Sequence, residues 1–203
     1  ETDDGGETKT HYDDVFLSHK QGFKHNGVEY SEGQDAAKTM KLWFAHPDRN
    51  FSAYLDRDDR SSDCLNLADN VGRSRVMVCL LTVHYLESYW CMYELLSAVT
   101  HGTKIVLVSM PGHPRTKVQL KEKLSKMGFP HHNRLTNIKY VKLNRDQFDA
   151  CMLDVLNQCC FDRAIDTDPL MKSNTEEIQR EFEALRVRRN LALCSRKLLA
   201  SPL

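Results

Sequence analysis

The sequence predicts an α/β fold: a five-stranded parallel sheet with helices on both faces. Three observations carry this expectation. Five short apolar runs recur along the 203 residues, each followed by a segment with apolar residues at helical spacing. The third run, Arg75 to Leu81, is apolar without alternation, as a central strand covered on both faces requires. Strands that alternate with helices pair in parallel, because each helix provides the crossover.

The elements follow in order. Val15-Phe16-Leu17 is the first strand, preceded by Asp13-Asp14 and followed by Ser18-His19-Lys20-Gln21. The polar stretch holding Gly22, Gly27 and Gly33 is expected to be a loop. Ala37, Met40, Trp43 and Phe44 recur at helical spacing from Gln34 to Ala45, and Pro47 ends that helix. Phe51 to Leu55 is the second strand, and Asp56 to Arg60 a charged loop. Ser62 or Asp63 caps a helix through about Val71, with Leu67 and Val71 inward. After the third strand a helix is expected from about His84 to His101.

Lys104 to Ser109 is the fourth strand, Met110 to Pro114 a loop, and Thr116 to Met127 a helix. Ile138 to Leu143 is the fifth strand. Asp146 to Cys160 is the last helix of the unit, burying Phe148, Met152, Val155 and Leu156. Beyond Phe161 the character changes. Asp162 to Ser173 reads as a linker, and Asn174 or Thr175 opens a helical pattern with a narrow apolar stripe of Ile178, Phe182 and Leu185. Two readings of that extension stay open: a helix packed on the domain or joining it to a neighbour, and a self-association surface.

Composition narrows the function. Lys plus Arg equals Asp plus Glu at 28 each, which argues against broad attraction to nucleic acid or anionic membrane. Apolar runs stay far below the roughly 20 residues that cross a bilayer. The acidic, polar start lacks the basic-then-apolar order of a secretion signal, and its first residue is Glu1, so an excised piece of a longer protein or a trimmed product is expected. Seven scattered cysteines form no CxxC pair, which fits reduced thiols in a cytoplasmic protein. Neither His131-His132 nor Cys159-Cys160 has the paired spacing of a zinc site, so no metal is expected.

The most informative stretch is Ser88-Tyr89-Trp90-Cys91-Met92-Tyr93-Glu94. Four-residue spacing stacks Trp90 and Glu94 on one side of a helix. Met92, Leu95, Leu96 and Val99 fall on roughly the opposite side at about 100° per residue. Spacing alone is also satisfied by a half-covered Trp beside a solvated Glu. In open parallel sheets, ligands bind beyond the carboxyl ends of the strands. Glu94, three turns into the expected helix, reaches that rim only if the helix start bends over it.

Several motifs in one order resemble the Toll/interleukin-receptor (TIR) domain family. Tyr12-Asp13-Asp14-Val15-Phe16-Leu17-Ser18 looks like its first strand, with one additional Asp. Tyr54-Leu55-Asp56-Arg57-Asp58 resembles the second strand and the loop after it. Asp69-Asn70-Val71-Gly72-Arg73-Ser74-Arg75-Val76 resembles the second helix running into the third strand. Ser88 to Leu95 is similar to the S-x-W-C-x-x-E-L element of plant-type members.

The resemblance implies a flavodoxin-like domain over 11–160, between a polar tail (1–10) and a linker with an amphipathic helix (161–203). It implies an NAD+ hydrolase that cleaves the nicotinamide–ribose bond and is activated by self-association or by other TIR domains. NAD+ is then substrate, with no resident cofactor. The essential glutamate maps onto Glu94 and the tryptophan beside the nucleotide onto Trp90. Polar residues after the first strand point to Ser18, His19 and Lys20, and the loop after the second strand offers Asp56, Arg57 and Asp59. The alternative is a non-enzymatic adaptor acting by TIR–TIR assembly. Two departures keep it in view: Arg60 to Cys64 holds no glycine, and Met110 to Pro114 no aromatic. A phosphate-accepting receiver domain also fits Asp13-Asp14, though it has no use for the Trp90–Glu94 element.

Overall fold

Apolar segments of Val15–His19 (β1), Ala53–Tyr54 (β4), Val76–Leu81 (β5), Lys104–Ser109 (β6) and Tyr140–Lys142 (β7) pair in parallel in the order β4-β1-β5-β6-β7. In chain order of the parallel strands this is 2-1-3-4-5, the flavodoxin-like winding. The computed structural model describes residues 13–25, 28–55, 64–82, 84–111, 117–129, 135, 138, 140–159, 180 and 184.

The pleat divides the core. On β5, Met77, Cys79 and Leu81 face one layer with Phe16, while Val76, Val78 and Leu80 face the other with Val15 and Leu17. All six β5 residues are buried, as expected for a strand covered on both sides. Helices Cys64–Arg73 (α2), Tyr89–His101 (α3) and Lys117–Lys126 (α4) close the first layer. Helices Glu32–Phe44 (α1) and Phe148–Cys159 (α5) close the second, where the Trp43 indole N–H donates to Asp149 Oδ1 at 2.8 Å. The chain leaves β1 through α1 on one face and β5 through α3 on the other. The carboxyl ends of β1 and β5 therefore flank the switch point of the sheet.

Three expectations change. The glycine-bearing stretch after β1 is not simply a loop: Phe23–His25 (β2) and Val28–Tyr30 (β3) pair antiparallel as a hairpin. The second strand shrinks to two residues, because among the described residues it is an edge strand with β1 as its one neighbour. The helix after β5 starts at Tyr89 rather than near His84. Thr82 accepts from Tyr85 N at 3.2 Å, which winds Tyr85–Glu87 into a separate 3₁₀ turn. Ser88 then goes extended (φ −77°, ψ 128°) and caps α3 by accepting from Cys91 N. Gly102, at φ 71°, ends α3 in the left-handed conformation. The charged loop after β4 lies outside the described residues, as does the C-terminal extension apart from Arg180 and Ala184, both exposed.

Candidate functional site

Ser18 is the fourth residue of β1. By the alternation of the strand it faces the same layer as Phe16, the layer that holds α3. A hydroxyl turned into an apolar layer needs partners. Ser18 Oγ donates to Glu94 Oε2 at 2.5 Å and also bonds Tyr85 Oη at 2.5 Å. The late start of α3 makes this meeting possible: Glu94 falls in the second turn of the helix, not the third, beside the carboxyl end of β1.

Glu94 is therefore not on a solvated face. It is 3% exposed, within a helix whose residues Cys91 to Val99 are all buried. That excludes the solvated Glu that spacing alone allowed. Trp90, one turn earlier, is 43% exposed and stands edge-to-face against Tyr89 and Tyr93 with centroids 5.1 and 6.5 Å away. The two residues share a side, but one is sunk in the layer and the other emerges from it.

Electrostatics around Glu94 keep its neighbours neutral. Burial pushes the Cys79 thiol up to about 12, with the Tyr85 hydroxyl pulling back and the Glu94 carboxylate adding to the rise. Burial first, then the Glu94 charge, holds Cys91 well above the usual thiol range. Tyr85 is raised in the same way, by burial and then by Cys79, Cys91 and Glu94. Neither thiol is thus a thiolate nucleophile at neutral pH. Cys79, Cys91, Cys151 and Cys159 are all free and buried.

His19 and Lys20 lie at the same strand end. His19 is 5% exposed, and its carbonyl accepts from Cys91 Sγ at 3.3 Å. Lys20 is half-buried, and its charge acts on Cys91 at the start of α3. Gly33 keeps α1 close to this strand end: a Cβ there would stand 3.1 Å from Thr82 Cγ2 and 3.2 Å from the Lys20 carbonyl. Ser18 and His19 at the end of β1, Lys20 just after it, and Trp90 and Glu94 on α3 thus lie on neighbouring elements, whereas Asp56, Arg57 and Asp59 lie outside the described residues. Tyr85 is the participant that sequence reasoning missed. No sequence signal pointed to it, because the inward direction of Ser18 follows only from the extent of β1.

Asp14 sits at the opposite end of β1. Its carboxylate accepts from Ser52 N at 3.0 Å and Ser52 Oγ at 3.2 Å and pairs with Arg75 at 3.3 Å. This latch across β4, β1 and β5 is at the amino-terminal edge, so the receiver-type reading of Asp13-Asp14 fails. A cavity of about 540 Å³ lined by Val99, Lys104, Ile105, Ile138 and Gln158 also lies at that edge, away from Glu94. Its polar rim is engaged: Lys104 Nζ donates to the Cys159 carbonyl at 3.1 Å and Thr103 Oγ1 to the Val71 carbonyl at 3.1 Å. Among the described residues no group of three or more His, Cys, Asp or Glu is placed to hold a metal ion. None of the described helices is long and apolar enough to cross a membrane.

The winding, with a polar cluster at its switch point, defines a flavodoxin-like architecture. A sequence model of the TIR domain family matches residues 41–139, and the chain carries a TIR domain. That match includes Tyr85, Trp90 and Glu94, while Ser18, His19 and Lys20 precede it. No curated protein matches the chain. Among solved structures, the chain is similar to the TIR domain of the Toll-related receptor TRR-2 from Hydra magnipapillata. Identity is 14%, over 73% of this chain and 98% of that one, with a TM-score of 0.45. It is also similar to the TIR domains of the activated Roq1 resistosome that directly recognises the pathogen effector XopQ. Identity there is 16%, over 72% of this chain and 98% of that one, with a TM-score of 0.47.

Proposed function

We propose that this TIR domain is an NAD+ hydrolase of signalling, cytoplasmic and activated by self-association. The reading rests on one observation: a buried carboxylate, Glu94, held by Ser18 beside the carboxyl end of β1, with the Trp90 indole exposed one turn away. In the reaction, the bond from ribose C1′ to the pyridinium nitrogen breaks and its electron pair returns to the ring, releasing neutral nicotinamide. Positive charge develops on C1′ and the ring oxygen, as in glycoside hydrolysis. Glu94 stabilises that charge in a poorly hydrated site, where a fixed carboxylate acts more strongly than in water. Water then attacks C1′ and loses a proton, giving ADP-ribose; attack by an adenine nitrogen gives the cyclic product. Trp90 supplies a flat apolar wall for the nucleotide, and Lys20 or Arg57 a cation for the pyrophosphate.

At 3% exposure Glu94 meets a ribose only after its surroundings shift, which gives self-association a physical task. The same burial favours a second reading, a non-enzymatic adaptor in which Glu94 merely completes a buried polar cluster. Incubating concentrated protein with NAD+ and measuring nicotinamide separates them. Release that is lost in Glu94→Gln supports the hydrolase. Assembly with no release at any concentration supports the adaptor.

A further inference from the structure

The geometry points to Tyr85 as a positioning residue for Glu94, acting through Ser18; this deepens the hydrolase reading and rests on it. Proton counting gives the direction. A serine hydroxyl has one proton, and Ser18 gives it to Glu94 Oε2. The second bond of Ser18 Oγ, to Tyr85 Oη at 2.5 Å, must therefore be donated by the tyrosine. The order is Tyr85 O–H to Ser18 O–H to the Glu94 carboxylate, with each proton used once.

Each donor in such a series polarises the next, so the phenol strengthens the bond that Ser18 makes to Glu94. Tyr85 itself is fully buried and packed on the 3₁₀ turn between β5 and α3, where it need not touch a substrate. The turn is held from outside as well: Glu87, two residues on, pairs with His84 at 2.9 Å and with Lys123 of α4 at 3.6 Å. A phenol fixed in this way sets the rotamer of Ser18, and Ser18 sets that of Glu94. The carboxylate oxygen is thereby aimed before any ligand arrives, which is the condition for a charged group to act on a developing cation without reorganising.

The test uses the whole chain at high concentration, with kinetics of nicotinamide release and an infrared difference spectrum. The Glu94 carboxylate stretch is assigned as the band lost in Glu94→Gln. Tyr85→Phe keeps the ring and is expected to lower kcat about ten-fold, leave KM for NAD+ within two-fold, and displace the Glu94 band. Placing 3-fluorotyrosine at position 85 keeps the hydroxyl as a stronger donor, and displaces the band the opposite way even if Tyr85→Phe folds poorly. An undisplaced band in both proteins overturns the series of bonds. A displaced band with kcat unchanged in folded Tyr85→Phe overturns the positioning role. Absence of nicotinamide release from the unaltered chain, with the band still displaced, overturns the hydrolase reading and Tyr85's part in it, while leaving the bonds themselves intact.

Discussion

Ser18 Oγ donates to Glu94 Oε2 at 2.5 Å, joining the end of β1 to the second turn of α3 across 76 residues of sequence. Both partners are almost fully buried, so each would be costly alone. Ser18→Ala leaves the carboxylate without this donor and Tyr85 without its acceptor. We expect a loss of about 1–3 kcal/mol in denaturant unfolding, together with a fall in nicotinamide release. Equal stability of the variant and the parent would show that water or another group replaces the hydroxyl.

The glutamate and the tryptophan were legible in sequence because one helical turn separates them, and that local spacing survived. Their different burial was not legible. It depends on where α3 begins, and the Ser88 cap that shifts the start is fixed by the 3₁₀ turn before it. The parallel sheet was legible from apolar runs, since β5 is buried throughout and β6 is buried over Val106-Leu107-Val108. The β2–β3 hairpin was not, because Gly22 and Gly27 mark a turn without revealing that its two arms pair. The Glu94 partners lie on separate elements brought together by the winding, a relationship that periodicity does not encode. Ser18 could be named as a polar residue after an apolar strand; its inward direction follows only once β1 is known to run through His19.

Asp14 gives a contrasting prediction at the other edge of the sheet. Its bonds to Ser52 and Arg75 tie three strands together and face no reactive group. Asp14→Ala is expected to cost about 1 kcal/mol, read from urea midpoints. The rate of nicotinamide release should stay within two-fold of the parent. Labelling by a phosphoacetyl donor should be absent in both proteins, since the carboxylate is at the end of the sheet where ligands do not bind.

Gly72 lets α2 and α3 approach closely. A Cβ at this position would stand 2.7 Å from His101 Cδ2, and the His101 ring cannot swing freely because Nδ1–H donates to the Ser97 carbonyl at 2.8 Å. Alanine normally favours a helix over glycine by about 1 kcal/mol. Here overpacking of about 1–3 kcal/mol opposes that gain, and Gly72→Ala should be net destabilising. Adding His101→Ala removes the obstruction. The double variant should be more stable than the sum of its single changes implies, with a coupling of about 1 kcal/mol or more. Simple additivity in thermal unfolding would mean that the helices separate instead of the ring yielding.

Cys79 makes the stability of the fold sensitive to alkali. An ordinary thiol titrates at 9.0, whereas burial pushes Cys79 up to about 12. Between these values the unfolded chain has lost the proton and the folded chain still holds it. Stability is present in full below the ordinary thiol value and declines as pH rises, with a slope of about −1.4 kcal/mol per pH unit from this group. Cys91 and Tyr85, also raised by burial, act in the same sense at their own ranges. Cys79→Ala should flatten the decline measured in urea between about pH 9 and pH 10.5, whatever it does to stability at neutral pH. In the parent, iodoacetamide should leave Cys79 unmodified until the chain unfolds, because only the thiolate reacts and the folded state withholds it. Rapid alkylation of folded protein at about pH 8.5 would mean that the layer over Glu94 opens, since no thiolate forms there while Cys79 stays buried against Tyr85.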